Sequence, residues 1–363
     1  MELAITSLGL VTSVGYDVVT ACASIRAGIS RPHPLRYFQA LDEDSGDMEF
    51  LVGHPVRIFT DGFNIVGRWM RLAQGSIRDL VRYGGLPPAT DKGFWRLTGL
   101  IVITPYHNDE RLLNDSETSQ EDVRHAYLEP LRQSLEVPIA RENAELVCLG
   151  QAGVAWAIQQ ATHWMTTKRL ERLIVVAADS YCDPLTLDWL SAYRRLKTPD
   201  NPCGLAPGEA GAAFLLEAPA SARRRQPEMR LAIDGVATAV EPNHFFTRKP
   251  IVGVALSEVL AQTLVTSSTS SFKGDLVSDL NGENWRAREM GNARVRLADH
   301  LDESVRVLMP ATSVGDTGAA SGALSLCVAA RAIVRGYART GQVLVATSSE
   351  RGHVGALILR KNN

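Results

Sequence analysis

Cysteine is scarce and badly spaced for cross-linking. The 363 residues hold five, Cys22, Cys148, Cys182, Cys203 and Cys327, an odd number with no CxxC pair, so neither a disulfide framework nor a metal site of the zinc type is suggested. A surplus of positive charge is missing too: 38 Lys and Arg against 40 Asp and Glu leave a formal net charge of −2. That balance offers no broad basic field to a phosphate backbone and argues against nucleic acid as a partner. No apolar run reaches the ~18 residues of a bilayer span, so no membrane insertion is expected. The opening "MELAITSLGLVTSVG" has neither the basic n-region nor the long apolar core of a signal peptide, and the expectation is a soluble cytoplasmic protein. What remains is 45% hydrophobic and 21% charged, enough apolar material for a substantial folded core.

The order of parts repeats. In the first half Gly150-Gln151-Ala152-Gly153 opens a helical pattern, followed by the apolar strand "LIVVAADS" (173–180) and then "GEAGAAFLLE" (208–217). In the second half Gly315-Asp316-Thr317-Gly318 opens a helix, followed by "VLVATSSE" (343–350) and "GHVGALILR" (352–360). Each half also begins alike, with "LAITSLG" from Leu3 and "LAIDGVA" from Leu231. The reading is a duplicated chain: an N-terminal half at 1–217, a polar, Pro-bearing connection at 218–229, and a C-terminal half at 230–363.

Periodicity places these parts in layers. Val154, Ile158, Ala161 and Met165 form one helical stripe, whereas "GAASGALSLCVAARAIV" (318–334) is apolar or small nearly all round and suits a helix enclosed on every side. Its small residues would let another backbone come close. The runs "LIVITP", "LIVVAA" and "VLVAT" are continuous and apolar, as in strands covered on both faces. The fold class is therefore α/β and layered. Residues 106–145, with "HNDERLLNDSETSQEDVRHAY", read as a solvated excursion over the surface.

Several segments together resemble one family. "LAITSLGLVTSVGYDVVTACASIRAGIS" at the start, "LIVVAADSYCDPLTLDWL" (173–190), "LAPGEAGAAFLLE" (205–217), "SDLNGENWRAREM" (278–290) and "ATSVGDTGAASGAL" (311–324) look like a β-ketoacyl-[acyl carrier protein] synthase of the thiolase superfamily, in the right order over nearly the whole chain. The resemblance implies a thiolase-like fold, a duplicated five-layered αβαβα architecture, usually paired as a homodimer through a central strand.

The same resemblance implies a cysteine nucleophile at the start of the buried helix, where unpaired N–H groups and the helix dipole favour a thiolate, with two histidines and a lysine around it. Carried over without gaps, the cysteine position falls on Gln151, the first histidine on Asn281, the second on Asp316 and the lysine on Ala311. A glutamine has no thiol, so condensation through an acyl-enzyme is lost in this register. Relatives with this change decarboxylate malonyl groups by means of the histidines. Here Asn281 retains an amide donor, but an ionised Asp316 would oppose an enolate, which disfavours that activity. The family's closing loop carries an apolar gate and a glycine where this chain has Glu350 and Arg351.

Cys148 can be read as a nucleophile three residues upstream, activated by Asp179, Asp316 or His353, or as a core thiol ending a buried strand; the core reading is preferred. His353, in the turn before the last strand, is read as a hydrogen-bonded turn residue; His107 and His125 fall in the polar excursion and are read as solvated, and His163 lies on a helix without a partner at metal-ligand spacing. Glu209 is expected to be paired in the core, because an unpaired carboxylate there would be costly. Glu283 and Asn284 either line the old pocket or cap the following helix. No cofactor is expected. The functional expectation is a ketosynthase-like protein without condensing activity that serves as a dimeric platform. Its partner would be a second copy, a related synthase, an acyl carrier protein or a bacterial secretion-associated assembly. The alternative is an acyltransferase of the 3-oxoacyl synthase type working through Cys148 or the Gln151, Asn281 and Asp316 pocket.

Overall fold

A computed structural model describes residues 3–41, 45–111, 118–267 and 271–361. Its strands are β1 (Ala4–Thr12), β2 (His33–Leu41), β3 (Met48–Gly53), β4 (Thr98–Thr104), β5 (Ala144–Cys148), β6 (Arg172–Ser180), β7 (Glu209–Glu217), β8 (Leu231–Val240), β9 (Asp275–Ser278), β10 (Arg306–Leu308), β11 (Gln342–Ser348) and β12 (His353–Lys361). Ten of them follow the order β10-β9-β11-β12-β8-β1-β7-β6-β4-β5, and β2 pairs with β3 in a separate ribbon.

That order reads the same from both ends once the halves are matched. β4 runs parallel to β5 and β6, and β7 closes antiparallel onto β6 and β1. In the second half β9 runs parallel to β10 and β11, and β12 closes antiparallel onto β11 and β8. The halves meet where Ala4 and Ile5 of β1 face Ala232 and Leu231 of β8. The internal repeat of the sequence is thus a repeat of topology.

The helices supply the layers. The 153–167 helix touches β4 and β6 from one half and β8 and β12 from the other, and the 321–334 helix likewise touches β7 and both β9 and β11. Side chains of these two helices and of both sheets share one core cluster. Outside it, the helix Ile65–Tyr83 covers the first sheet, and Val254–Thr266 with Asn284–Arg296 covers the second. This is the expected five-layer αβαβα stack. Every residue from Gly322 to Ile333 is buried, because a helix between two sheets has no solvent face to spend polar residues on. Gly322 permits the close approach of the two inner helices: a Cβ there would lie 2.4 Å from the Gln151 carbonyl oxygen.

Two expectations need correction. The connection at 218–229 contains a helix, Pro219–Arg225, tied to β7 by the Arg225–Glu217 ion pair at 2.8 Å; proline at its start fits the first turn, where no amide donor is needed. The polar stretch 106–145 is not a solvated excursion throughout. Asp109 and Arg111 are buried, and Tyr127, Leu128 and Leu131 pack into the core of the first half. Its residues 112–117 lie outside the described residues. Arg111 is held inside by its ion pair with the buried Asp179 carboxylate, at 2.7 Å.

Candidate functional site

Gln151 lies in the turn Gly150–Ala152 that leads into the helix Gly153–Thr167, at the carboxyl end of β5. Gly150 makes the turn with φ +59°, a region that β-carbons disfavour. The Ala152 amide donates to Ser349 Oγ at 3.1 Å, and that hydroxyl donates to the Leu149 carbonyl at 2.7 Å. An orphan donor at the helix start is thereby satisfied from the β11–β12 turn. The Gln151 side chain, 2% exposed, donates to Glu350 Oε2 at 3.0 Å and to Tyr181 Oη at 3.4 Å.

Glu350 is the hub of what surrounds it. Arg195 Nη1 lies 3.6 Å from one of its oxygens and Arg286 Nη2 3.7 Å from the other. Burial pushes this carboxyl up, but Arg195, Arg286 and Arg111 outweigh burial and hold it down at about 2. Arg195 makes a two-pronged pair with Glu283, at 2.8 and 3.0 Å, the fork geometry that a guanidinium offers a carboxylate. Glu283 in turn accepts from Asn281 Nδ2 at 2.8 Å, and the same amide donates to Asp316 Oδ2 at 2.6 Å. Arg286 binds Asp279 at 3.0 Å and donates to the Ser348 carbonyl.

A second branch runs through Asp179 at the end of β6. It accepts from Arg111 Nη2 at 2.7 Å, Trp69 Nε1 at 3.0 Å, and the amides of Ser180 and Ala319 at 2.8 Å each. Gly318 is required beside it: at φ +55°, a Cβ would stand 2.1 Å from Asp179 Oδ2. Arg111 sits over the Tyr181 ring at 4.8 Å and reaches Asp109 at 3.3 Å. The network therefore holds three buried guanidiniums, Arg111, Arg195 and Arg286, among six acids: Asp109, Asp179, Asp279, Glu283, Asp316 and Glu350. Burial raises four of them, Asp109 and Asp316 in direction and Asp179 and Asp279 to about 6. Glu283 and Glu350 are held below the ordinary range by their arginines. The acids outnumber the cations, and for these four burial outweighs the arginines beside them.

Gln151, Asn281, Asp316, Glu283 and Glu350 are thus brought into one connected cluster. Ala311 opens the short helix Ala311–Val314 and lines a void of about 10 Å³ shared with Asp279 and Asp316. A second void of the same size lies among Asp279, Arg286, Glu289 and Ser348. Each has room for about one water. Glu283 stands at the cap position of the helix Asn284–Arg296, yet its side chain makes no capping bond. Its carboxylate is committed to Arg195, so the capping alternative fails for it, and Asn284 is exposed.

The other residues lie apart. Cys148 ends β5 opposite Thr104 of β4, 8% exposed, and burial pushes its thiol up, against a hydrogen bond with Thr104. Asp179 and Asp316 are committed to the partners above. His353 lines the same groove as Cys148, but its Nδ1 is 2.6 Å from Tyr106 Oη. Burial also lowers its affinity for a proton. Arg351 lies over the rings of Phe246 and Tyr106, at 4.9 and 5.6 Å. Glu209 has four partners: Arg68 at 2.9 Å, Ser180 Oγ at 2.7 Å, the Val56 amide at 2.7 Å and the Thr60 hydroxyl.

Sequence reasoning missed Arg111, Arg195, Arg286, Asp279 and Tyr181. One signal was available. Acids at the ends of otherwise apolar strands, such as Asp179, Asp279 and Glu350, must find cations once buried, and Arg286 stands one turn beyond Glu283. Among the described residues no cluster of three or more His, Cys, Asp or Glu is arranged to hold a metal ion. No helix there is long and apolar enough to cross a membrane.

No family model matches the chain, and no curated relative matches it by sequence. Solved structures do match. A ketosynthase complex described as "AntDE:AntF (apo): type II PKS acyl-carrier protein in complex with its ketosynthase bound to the hexaketide" aligns with TM-score 0.76 at 14% identity, covering 99% of each chain. The ishigamide ketosynthase/chain length factor aligns with TM-score 0.75 at 17% identity, over 100% of this chain and 99% of that one. A β-ketoacyl synthase from Burkholderia phymatum aligns with TM-score 0.71 at 15% identity over the whole of both. The chain has the thiolase-like fold of these ketosynthases.

Proposed function

We propose that this protein is a ketosynthase-fold subunit that does not condense acyl groups and acts as a binding platform, paired with a second copy or with a related synthase. The observation that carries the reading is the state of Gln151. It occupies the helix start where the family resemblance puts a nucleophile, and its amide is locked to Glu350 within a packed network of ion pairs. An acyl thioester there would have to displace paired charges, and separating a buried pair is strongly unfavourable. Condensation also needs a nucleophile that an amide cannot supply.

The sheet supports the pairing. Among the described residues β5 is the last strand of its sheet and bonds to β4 alone, so that edge can be extended by a partner strand. The ishigamide structure is of a ketosynthase with a chain length factor, and a related synthase is the partner class we favour, with an acyl carrier protein or a secretion-associated assembly as further partners.

Intact-protein mass measurement after incubation with malonyl- and acyl-carrier-protein thioesters tests the chemistry, comparing the natural chain with Cys148→Ala. No adduct and no malonyl decarboxylation, in folded protein, is the expected result. An acyl adduct that disappears in Cys148→Ala would replace this reading with the acyltransferase one. Sedimentation measurements alone and with a co-expressed synthase test the pairing, and a monomer under both conditions would remove it.

A further inference from the structure

On the outer side of the Arg195–Glu283 pair the surface opens into a cavity of about 560 Å³, a size typical of small-molecule sites. Its floor is Arg195, 1% exposed, whose Nη1 faces the inner Glu350 carboxylate at 3.6 Å. Phe245 and Trp285 form a wall, ring centroids 5.9 Å apart, and the Trp285 Nε1 donor has no hydrogen-bond partner among the described residues. Arg194, Lys249 and Arg288 stand at the exposed rim. Against these four cations the lining carries one carboxylate, Glu283, already taken by Arg195.

We propose that this cavity binds a small phosphorylated molecule with a planar ring, a nucleoside phosphate in class. Three rim cations around one mouth repel each other until an anion sits between them. Guanidiniums offer phosphate oxygens paired donors, and a lysine adds a compact charge. The Phe245 and Trp285 rings supply a surface on which a flat base stacks. The idle Trp285 donor gains an acceptor, removing the cost of leaving a buried polar group unpaired. A carboxylate ligand would use the cations but leave the aromatic wall idle. The proposal stands apart from the loss of condensation and does not depend on it.

Cys203 lines the cavity and is exposed, whereas Cys22, Cys148, Cys182 and Cys327 are buried, so its alkylation reads occupancy of this one site. The rate of Cys203 modification by iodoacetamide in the full chain is measured with ATP, adenosine, inorganic triphosphate or phosphopantetheine. ATP at about ten times its dissociation constant is expected to slow alkylation about tenfold by mass action, and adenosine far less. In Lys249→Glu/Arg288→Glu, both exposed positions, the protection should vanish while the melting temperature stays unchanged. No protection by ATP, or equal protection in the double variant, overturns the proposal. Triphosphate protecting as well as ATP overturns the nucleoside assignment, and protection by phosphopantetheine alone gives the cavity to a thioester arm instead. None of these results alters the acyl-adduct experiment, which reads a different thiol.

Discussion

The Arg195–Glu283 pair divides two regions of opposite character. Inward, around Gln151, charge is dense, buried and of both signs, and the voids at Asp279 and Asp316 hold about 10 Å³ each. Outward, the charge is mostly of one sign, exposed, and arranged around an open cavity of about 560 Å³. The same residue type does different work on each side: an arginine inside is a structural counter-ion, and an arginine at the rim is available to a ligand. Burial makes the difference, because a desolvated guanidinium must be paired within the fold while a hydrated one need not be.

Substitutions should therefore separate the two regions sharply. Arg195→Ala strands Glu283 and Glu350 without their main cation, and a loss of about 3–5 kcal/mol is expected, the typical cost of breaking a buried pair. Urea denaturation measures it, and a loss below about 1 kcal/mol would mean that the inner region is wetter than its packing implies.

A pH series comes next in size, with an effect on the order of 2 kcal/mol for a shift of this extent. Asp179 and Asp279 are raised to about 6 and Glu289 to about 7 in the folded state, burial being the main cause. A raised folded pKa means that the native state holds the proton more tightly. This stabilisation is complete below the unfolded carboxylate range near pH 4 and is lost as pH rises through 6 to 7. Glu350, held at about 2, acts oppositely: its contribution is present above about pH 4.3 and is lost as pH falls toward 2. Stability should peak at mildly acidic pH, and a denaturation midpoint that climbs steadily from pH 5 to pH 8 would contradict the network.

Gln151→Ala should cost about 1–3 kcal/mol by removing a donor from the buried Glu350 carboxylate. If the melting curve does not move, Gln151 is a bystander. At the far end of the scale, Arg288→Ala at the rim should change stability by less than about 0.5 kcal/mol. A larger loss would show that the rim is built into the fold as the inner arginines are.

The legible parts of the fold were those set by local pattern. The stripe at Val154, Ile158, Ala161 and Met165 is buried as the 3.6-residue period requires, and the second helix, apolar or small but for Arg331, is buried between the two halves of the sheet. The two Gly-x-x-Gly elements do lie at the starts of the inner helices, with Gly150 and Gly318 at positive φ. Three acids of the candidate site, Glu283, Asp316 and Glu350, were legible through the family resemblance together with Gln151 and Asn281, and these five do fall together. Their cations were not. Arg195 follows an exposed arginine at the end of a helix, and Arg111 sits in a polar run that reads as solvated. Nothing within a few residues of either marks it as buried.

The sequence by itself determined the repeated order of strands and helices in the two halves and the presence of an amide, Gln151, at the helix start, since each is a matter of local pattern or residue identity. Only the tertiary structure decided that Arg111, from a polar loop, answers Asp179 across the sheet, and that Glu350 closes over Gln151 across 199 positions of chain. It also made Arg195 the wall between a packed interior and an open cavity. Hydrophobic periodicity repeats every few residues and can be read along the chain, whereas a buried charge is settled by whichever opposite charge the folded backbone brings within a few ångströms, at any sequence distance.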